Sequence, residues 1–502
     1  MWESGPRNTI VVLDERPPSE EEALIESGRL RRFAANALWL TIAQVAGKLA
    51  SFVFVVVVAR ALGVREFGYF SFSISFVPLF LMLGTLALDG VLVREIARDR
   101  KRVSELFASA AVIRVGLGLA GLAIAFALAP AFVAGGEAYS ALTIVGSALF
   151  LDELSSLVGA VFKAFERMKY YALVVLVNRV LSTGLAVLAL VLGGDLIVIC
   201  LTYFAGSAGA LAFGAVAMRL QFPPVHLRSA TRSTITRLAR LAAPLGIGGI
   251  FNAAVFRIDA VMLQAIRGPI EVGVYGVAYR FFETLLFATW ALSSVALPRM
   301  ARMRAGAETT RTFELTAALL ITFYLPIAVG SPFVAEWLVV KLFSARYVEA
   351  ADIVPALTGA ALLYGIAYLA RMGALALDRG APIAWIAAAT LAVNVSSNAF
   401  AIPRWGFHGA AWTTLATEAF EAVLLTGLFV RTDGRPRVRR IALVPVVAAA
   451  CMAGTLLAAQ ARDAEALLLA AAVYPVALVV VARLFARDDL RAVRGILRPG
   501  WG

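Results

Sequence analysis

Charged residues are scarce in this sequence. Asp, Glu, Lys and Arg supply 16% of the 502 residues, whereas hydrophobic residues supply 61% and the mean hydropathy is +0.83. A single soluble core cannot bury so much apolar surface, which excludes a soluble enzyme, a secreted disulfide scaffold and a nucleic-acid-binding module. Cysteine and histidine are rarer still, at two residues each, so neither a disulfide framework nor a metal site is expected.

Catalytic motifs are also missing. The sequence has no P-loop, and its longest predicted outer loop, near residues 339–351, is too short to house an active site. His226 and His408 lie in a loop and at a helix entry, so neither predicts a proton relay. We therefore expect a protein that is not an enzyme and that uses no cofactor and no metal.

Long apolar segments are what the sequence does have. They are continuously apolar, as in membrane-spanning helices, and lack the alternation of barrel strands. The pattern predicts an all-α polytopic membrane protein with about 14 transmembrane helices, since each crossing needs about 20 apolar residues. The predicted spans are 33–59, 69–93, 105–128, 138–162, 170–192, 196–218, 241–265, 274–298, 313–338, 352–376, 382–402, 407–430, 441–460 and 465–486.

The distribution of basic residues predicts the orientation. With the N-terminus inside, about 34 Lys and Arg residues fall in the tails and inner connections and about 7 in the outer ones. This bias explains the net charge of +13 without a nucleic-acid partner. We expect a multi-pass protein of the inner (cytoplasmic) membrane with both termini cytoplasmic, and no signal peptide follows Met1.

An internal repeat predicts two lobes. Gly63, Glu66, Gly68 and Arg94 recur, at one constant displacement, as Gly268, Glu271, Gly273 and Arg299. The displacement covers about six helices, so the repeats are parallel and place a cavity between pseudo-symmetric six-helix lobes. The predicted parts are a flexible cytosolic tail (1–32), an N-lobe (33–218), a cytosolic linker (219–240), a C-lobe (241–430) and a C-terminal helix pair with its tail (431–502).

Ionisable residues inside spans are the candidates for function, because each is costly in lipid unless it faces a cavity or a partner. The predicted substrate-binding cations are Lys48, Arg114, Arg179, Arg257 and Arg280. For Arg114 and Arg179 the alternative is snorkelling to the inner surface or structural pairing. The candidates for ion pairing or coupling are Asp89, Asp152, Glu153, Asp259 and Glu283. Arg280 and Glu283 are spaced to pair on one helix face, whereas Arg257 and Asp259 cannot share a face.

The seventh span contains helix-weakening residues near its inner end. They are Pro244, Gly246, Gly248 and Gly249. Proline removes a backbone hydrogen bond and glycine adds conformational freedom, so we predict a hinge here. A packing notch between helices is the alternative.

Several ordered motifs resemble the polysaccharide biosynthesis proteins, the Wzx-like flippases of lipid-linked oligosaccharides. They are ARALGVREFGY at 59–69, RIDAVML at 257–263, GVY at 273–275, Pro298 with Arg299, Asn394 with Asn398, IPRWGFHGAA at 402–411, and Thr414 with Glu418. The resemblance implies the fold of the multidrug/oligosaccharidyl-lipid/polysaccharide exporter superfamily, with a central cavity open alternately to each side.

The implied substrate is a polyprenyl-diphosphate-linked oligosaccharide, such as an O-antigen-type repeat unit, that is flipped from the inner to the outer leaflet. Its diphosphate would suit the planar donors of arginine. Other expected partners are membrane lipids and the glycosyltransferases and polymerase of the same pathway. The alternatives are a multidrug or cation antiporter of the same fold, a peptidoglycan-precursor flippase, and a membrane glycan polymerase or ligase.

Overall fold

The computed structural model describes residue 39 and residues 45–85, 87–222, 225–302, 306–376 and 380–485. The predicted N-terminal tail lies outside this part, as do residues 486–502. Every regular element in the described ranges is a helix. The helices are α1 (45–61), α2 (Val64–Thr85), α3 (Leu88–Arg98), α4 (Val103–Leu128), α5 (Gly136–Ala164), α6 (Met168–Val191), α7 (Leu196–Gln221), α8 (Arg232–Arg267), α9 (Pro269–Arg302), α10 (Ala307–Leu342), α11 (Val354–Ala376), α12 (Gly380–Asp433), α13 (Val438–Ala458) and α14 (Asp463–Phe485).

The prediction of an all-α polytopic membrane protein is confirmed. Eleven helices of the described chain are long and apolar enough to cross a membrane. The 54-residue α12 is one of them and covers two predicted spans. The described part of α1 and the whole of α9, which carries Arg280 and Glu283 near its middle, lie over the remaining two predicted spans.

Two predicted boundaries differ from the structure. The second predicted span is broken between α2 and α3, where Ala87 adopts a left-handed conformation with φ 57°. The predicted loop between the eleventh and twelfth spans is instead a kink within α12 at Gly406, with φ 54°. The Glu271 carboxylate accepts the Phe407 N–H at 2.8 Å, which satisfies a backbone donor of the helical segment that follows the kink.

The repeated glycines lie where α2 and α9 cross, at the end of the molecule that the sequence predicts to face outward. A Cβ atom on Gly68 would collide with the Pro269 carbonyl, and one on Gly273 would collide with the Val64 carbonyl. The contact is therefore reciprocal between the two repeats. It explains why glycine is required at both positions, since any side chain would hold the helices apart.

Two smaller cores flank the main one, which runs from α1 to α13. One joins α3 to α7 and includes Leu238 and Ala242 from the inner end of α8. The other joins α13 and α14 to α10. The predicted linker 219–240 is largely structured, because α7 continues to Gln221, a 3-10 turn covers Leu227–Ser229 and α8 begins at Arg232.

Candidate functional site

A cavity of about 440 Å³ lies between the two predicted lobes. Helices α1, α2, α5, α6 and α7 line one side, and α8, α9 and α11 line the other. Aromatic side chains form much of its wall, including Phe54, Tyr203, Phe256 and Tyr279.

Four of the five predicted substrate-binding cations meet in this cavity. Lys48 comes from α1, Arg179 from α6, Arg257 from α8 and Arg280 from α9. Glu283 is the one carboxylate on the lining, so positive charge dominates the described wall. A cluster of cations in a low-dielectric site lowers the free energy of a bound anion far more than the same charges would in water.

The partners of these cations differ. Arg280 pairs with Glu283 three residues later, which confirms the predicted pairing. Lys48 Nζ lies 4.8 Å from the centre of the Trp290 ring, a cation–π distance. No carboxylate in the described part of the chain forms an ion pair with Lys48, Arg179 or Arg257.

Arg257 and Asp259 point to different helices, as their spacing predicted. Arg257 Nη1 donates to the Ile74 carbonyl oxygen on α2 at 2.6 Å. Asp259 is 2% exposed and turns toward α12. The two residues therefore serve separate sites, one at the cavity wall and one behind it.

Asp259 lies among neutral donors. The Tyr275 and Thr414 hydroxyls donate to Oδ2 at 3.1 and 2.8 Å, and Asn398 Nδ2 donates to Oδ1 at 2.7 Å. Asn394 Oδ1 accepts from the same amide at 3.1 Å. A buried carboxylate is stabilised here by dipoles from α9 and α12, with no basic side chain of the described residues bonded to it.

Arg114 lies apart from the cavity. Its guanidinium is 1% exposed and bonds Asp89 at 2.5 Å and Glu153 at 2.6 Å, while the Ser156 hydroxyl donates to Asp89 at 2.6 Å. These contacts join α3, α4 and α5. They fit structural pairing better than snorkelling or substrate binding, because the guanidinium is buried against carboxylates and lies outside the cavity lining.

Asp152 supports the cavity from behind. Asn178 Nδ2 donates to Oδ1 at 2.8 Å and the Tyr203 hydroxyl donates to Oδ2 at 3.0 Å. Tyr203 lines the cavity, and Asn178 precedes the lining residue Arg179 on α6. Asp152 thus fixes the part of the wall from which Arg179 projects.

Sequence reasoning missed a buried basic residue inside a span. Arg371 on α11 is 8% exposed and pairs with Glu421 on α12. The side-chain oxygen of Asn252, a lining residue, accepts from Arg371 at 3.0 and 3.1 Å when its amide is oriented to satisfy both groups. The signal was present, because Arg371 falls inside the predicted span 352–376.

The predicted hinge lies within α8. The helix continues through residues 244–249, and the side chains at 244, 245, 247 and 248 lie outside the described ones. On the inner side of these residues α8 is bonded to the predicted N-lobe, through Arg237 to Glu95 and Thr234 to Glu105. On the outer side Asp259 bonds α12, so the candidate hinge separates two differently anchored segments.

No group of three or more His, Cys, Asp and Glu side chains in the described ranges is arranged to hold a metal ion.

Comparison with known proteins identifies the family to which this chain belongs. The sequence profile of the polysaccharide biosynthesis proteins matches residues 33–304, more than half of the chain. The chain belongs to this family. A curated relative, the EPS I polysaccharide export inner membrane protein EpsE of Ralstonia solanacearum, is 27% identical over 356 residues, which cover 68% of this chain and 80% of EpsE.

Solved structures confirm the fold of this polysaccharide biosynthesis protein. The lipid II flippase MurJ in an inward closed conformation superposes with a TM-score of 0.75 at 14% identity, covering 89% of this chain and 99% of MurJ. An inward-facing multidrug resistance MATE family transporter of the MOP superfamily gives a TM-score of 0.61 at 13% identity, covering 79% of this chain and 97% of that one. At these identities the likeness concerns the fold alone.

Proposed function

We propose that this protein flips a polyprenyl-diphosphate-linked oligosaccharide from the inner to the outer leaflet by alternating access. The single observation that carries the proposal is the convergence of Lys48, Arg179, Arg257 and Arg280 on one cavity between the predicted lobes. The relative EpsE is named as a polysaccharide export inner membrane protein, and this name supports the same substrate class and an inner-membrane location.

The cavity chemistry favours an anionic headgroup. Three of the four lining cations form no ion pair with described carboxylates, and the fourth shares one carboxylate that a substrate could displace. A diphosphate crossing the membrane is costly in hydrocarbon, as are the cations, so each stabilises the other. Arginine adds paired donors that match phosphate oxygens. The aromatic wall offers flat apolar surface for sugar rings beside the charges.

Asp259 is our candidate for coupling transport to a gradient. Its carboxylate is buried against neutral dipoles only, so binding of a proton or a small cation there would remove an uncompensated charge. The network also joins α8 to α12, and a change of charge would therefore act on the outer segment of the helix that carries the candidate hinge.

A multidrug or cation antiporter of the same fold is the second candidate. A cationic drug would be repelled by the four lining cations, and one carboxylate on the lining does not balance them. A peptidoglycan-precursor flippase shares the diphosphate chemistry and is not separated by the cavity. A polymerase or ligase lacks a supporting feature in the described outer connections. The pathway's glycosyltransferases and polymerase are the protein partners we expect.

The test is complementation of a strain lacking its own glycan flippase, with surface glycan and protein level both measured. Arg257→Gln and Arg280→Gln should each reduce surface glycan, and Lys at either position should reduce it less, because Lys keeps the charge but loses the paired donors. Arg346→Gln, an exposed arginine outside the cavity, is the matched control. Full glycan from both Gln variants at normal protein level would contradict the cationic-cavity mechanism.

A further inference from the structure

Helix α2 contains a proline at the level of the cavity. In an α-helix each backbone N–H bonds the carbonyl four residues earlier, and proline has no N–H. Pro78 therefore leaves the Ile74 carbonyl without its helical donor. A carbonyl without its helical donor is free to accept a hydrogen bond from elsewhere, so the position of Pro78 decides where α2 offers an acceptor to the rest of the molecule.

Arg257 supplies the missing donor. Its Nη1 atom lies 2.6 Å from the Ile74 oxygen, and both residues line the cavity. Ile74 belongs to the predicted N-lobe and Arg257 to the predicted C-lobe. The Arg257–Ile74 bond therefore replaces a hydrogen bond within α2 with a charge-assisted hydrogen bond between the two predicted lobes.

At two other mid-helix prolines, the carbonyl four residues earlier likewise accepts a hydrogen bond from a side chain. The carbonyl of Thr322, four residues before Pro326, accepts from the Tyr474 hydroxyl at 2.9 Å. The carbonyl of Ala328, four residues before Pro332, accepts from the Ser331 hydroxyl at 2.9 Å. Both donors are neutral, and neither comes from the predicted N-lobe. Of these three carbonyls, that of Ile74 alone receives a charged donor across the cavity.

We propose that Pro78 is a positioning residue, because it frees the Ile74 carbonyl to accept from Arg257. The resulting Arg257–Ile74 hydrogen bond, here called the tie, links the two lobes. An anionic ligand in the cavity releases this tie. The release step rests on the proposed function, whereas the tie itself does not. A diphosphate is a stronger acceptor for guanidinium than a neutral carbonyl, so a bound ligand takes Arg257 away from Ile74.

The position of the tie explains what its release would do. Ile74 and Arg257 each lie ten residues from the predicted outer end of their helix, about 15 Å at the helical rise. Beyond them, α2 and α9 meet through Gly68 and Gly273. A bond between α2 and α8 at this depth holds the outer ends of the lobes together. Its loss favours the outward-open state, so ligand occupancy and outer opening become linked.

The experiment measures the separation of the outer ends by electron–electron double resonance in reconstituted full-length protein. Cys200→Ala and Cys451→Ser remove the native thiols, and Glu137→Cys with Ile270→Cys place spin labels on exposed outer positions of α5 and α9. The probe is farnesyl diphosphate, with farnesol as the uncharged control. Pro78→Ala, Arg257→Gln and the matched proline variant Pro332→Ala are compared with the parent.

Without ligand, Arg257→Gln should raise the ratio of long to short distances roughly tenfold, the factor expected from one hydrogen bond to a charged group. Pro78→Ala should shift the ratio in the same direction by less, because a restored helical N–H competes for the Ile74 oxygen. Pro332→Ala should match the parent. Farnesyl diphosphate should lengthen the parent's distances and add little to those of Arg257→Gln.

The arms separate the two proposals. If Pro78→Ala and Arg257→Gln both keep the parent's ligand-free distances, the tie is overturned whether or not ligand opens the parent. If Arg257→Gln opens the protein but the parent ignores farnesyl diphosphate, the tie stands and release by a diphosphate is overturned. A shift with Pro332→Ala equal to that with Pro78→Ala would overturn the specific role of Pro78.

Discussion

At the scale of single residues, burial separates Arg114 from the four cations that line the cavity. Arg114 is enclosed by Asp89 and Glu153, whereas Lys48, Arg179, Arg257 and Arg280 reach open space. The sequence predicted the depth of all five along their helices but not the direction in which each side chain points. That direction depends on the rotation of each helix against its neighbours, which a single sequence does not specify.

We predict that Arg114→Gln destabilises the protein. The substitution removes the buried guanidinium that bonds both Asp89 and Glu153, at a cost of about 2 kcal/mol in the free energy of unfolding, as for a hydrogen bond to a charged group. The thermal unfolding temperature in detergent should fall, together with the membrane level. Arg346→Gln, on an exposed site, serves as the comparison. A variant that remains as stable as the parent but loses export would assign Arg114 to substrate binding instead.

For Asp259 we expect a loss of transport without a loss of stability. Asp259→Asn keeps the shape of the side chain and removes the charge, so the fold should persist while gradient-driven export falls by roughly tenfold, as for a lost coupling step of about 1.4 kcal/mol. Export should be followed with and without dissipation of the proton and sodium gradients. Asp352→Asn, an exposed carboxylate beside His408, is the control. Normal, gradient-sensitive export by Asp259→Asn would remove Asp259 from the coupling step.

At the scale of helices, α8 connects the two predicted lobes. Its inner end is bonded to α3 and α4 and its outer part to α12, with the glycine-rich segment between them. The sequence predicted weak helix at this point from Pro244 and three glycines. It did not predict that the flanking parts would be fixed to different partners, because the pairs Arg237–Glu95 and Asp259–Asn398 are far apart in the chain.

We expect stiffening of this segment to slow transport. Replacing Gly246, Gly248 and Gly249 together by Ala adds roughly 1 kcal/mol of helix preference per residue. Surface glycan should fall while the protein level holds. Gly116→Ala, on α4 with open space around it, is a control for the loss of a glycine alone. Undiminished export by the triple variant would indicate that these glycines only pack.

At the scale of the whole molecule, sequence composition and periodicity were sufficient for the fold class. Hydropathy located nearly every helix because lipid requires each crossing to satisfy its own backbone. The kink at Gly406 was not predicted, since it depends on Glu271 from another part of the chain. The same limit applies to the Ile74–Arg257 bond. Contacts between residues that are far apart in the sequence determine the shape of the cavity, whereas the residues along each helix determine which side chains are available to line it.

Orientation remains a prediction that reporter fusions can check. Fusions after residues 100, 135, 230 and 435 should report inside, outside, inside and inside, because the loop charge asymmetry favours this threading. The positions fall in or beside connections between helices. An outside report from the fusion after residue 230 would contradict the two-lobe arrangement with parallel repeats.

The most direct test of the cationic cavity is flipping by purified protein. Proteoliposomes would carry a fluorescent polyprenyl-diphosphate-linked oligosaccharide, and its appearance in the opposite leaflet would be measured by accessibility to a membrane-impermeant quencher. We predict gradient-dependent flipping by the parent and a loss of about a hundredfold when Arg257 and Arg280 are both replaced by Gln, since each of the two charge-assisted contacts contributes about 1.5 kcal/mol. Equal flipping rates for the parent and the double variant would contradict the account.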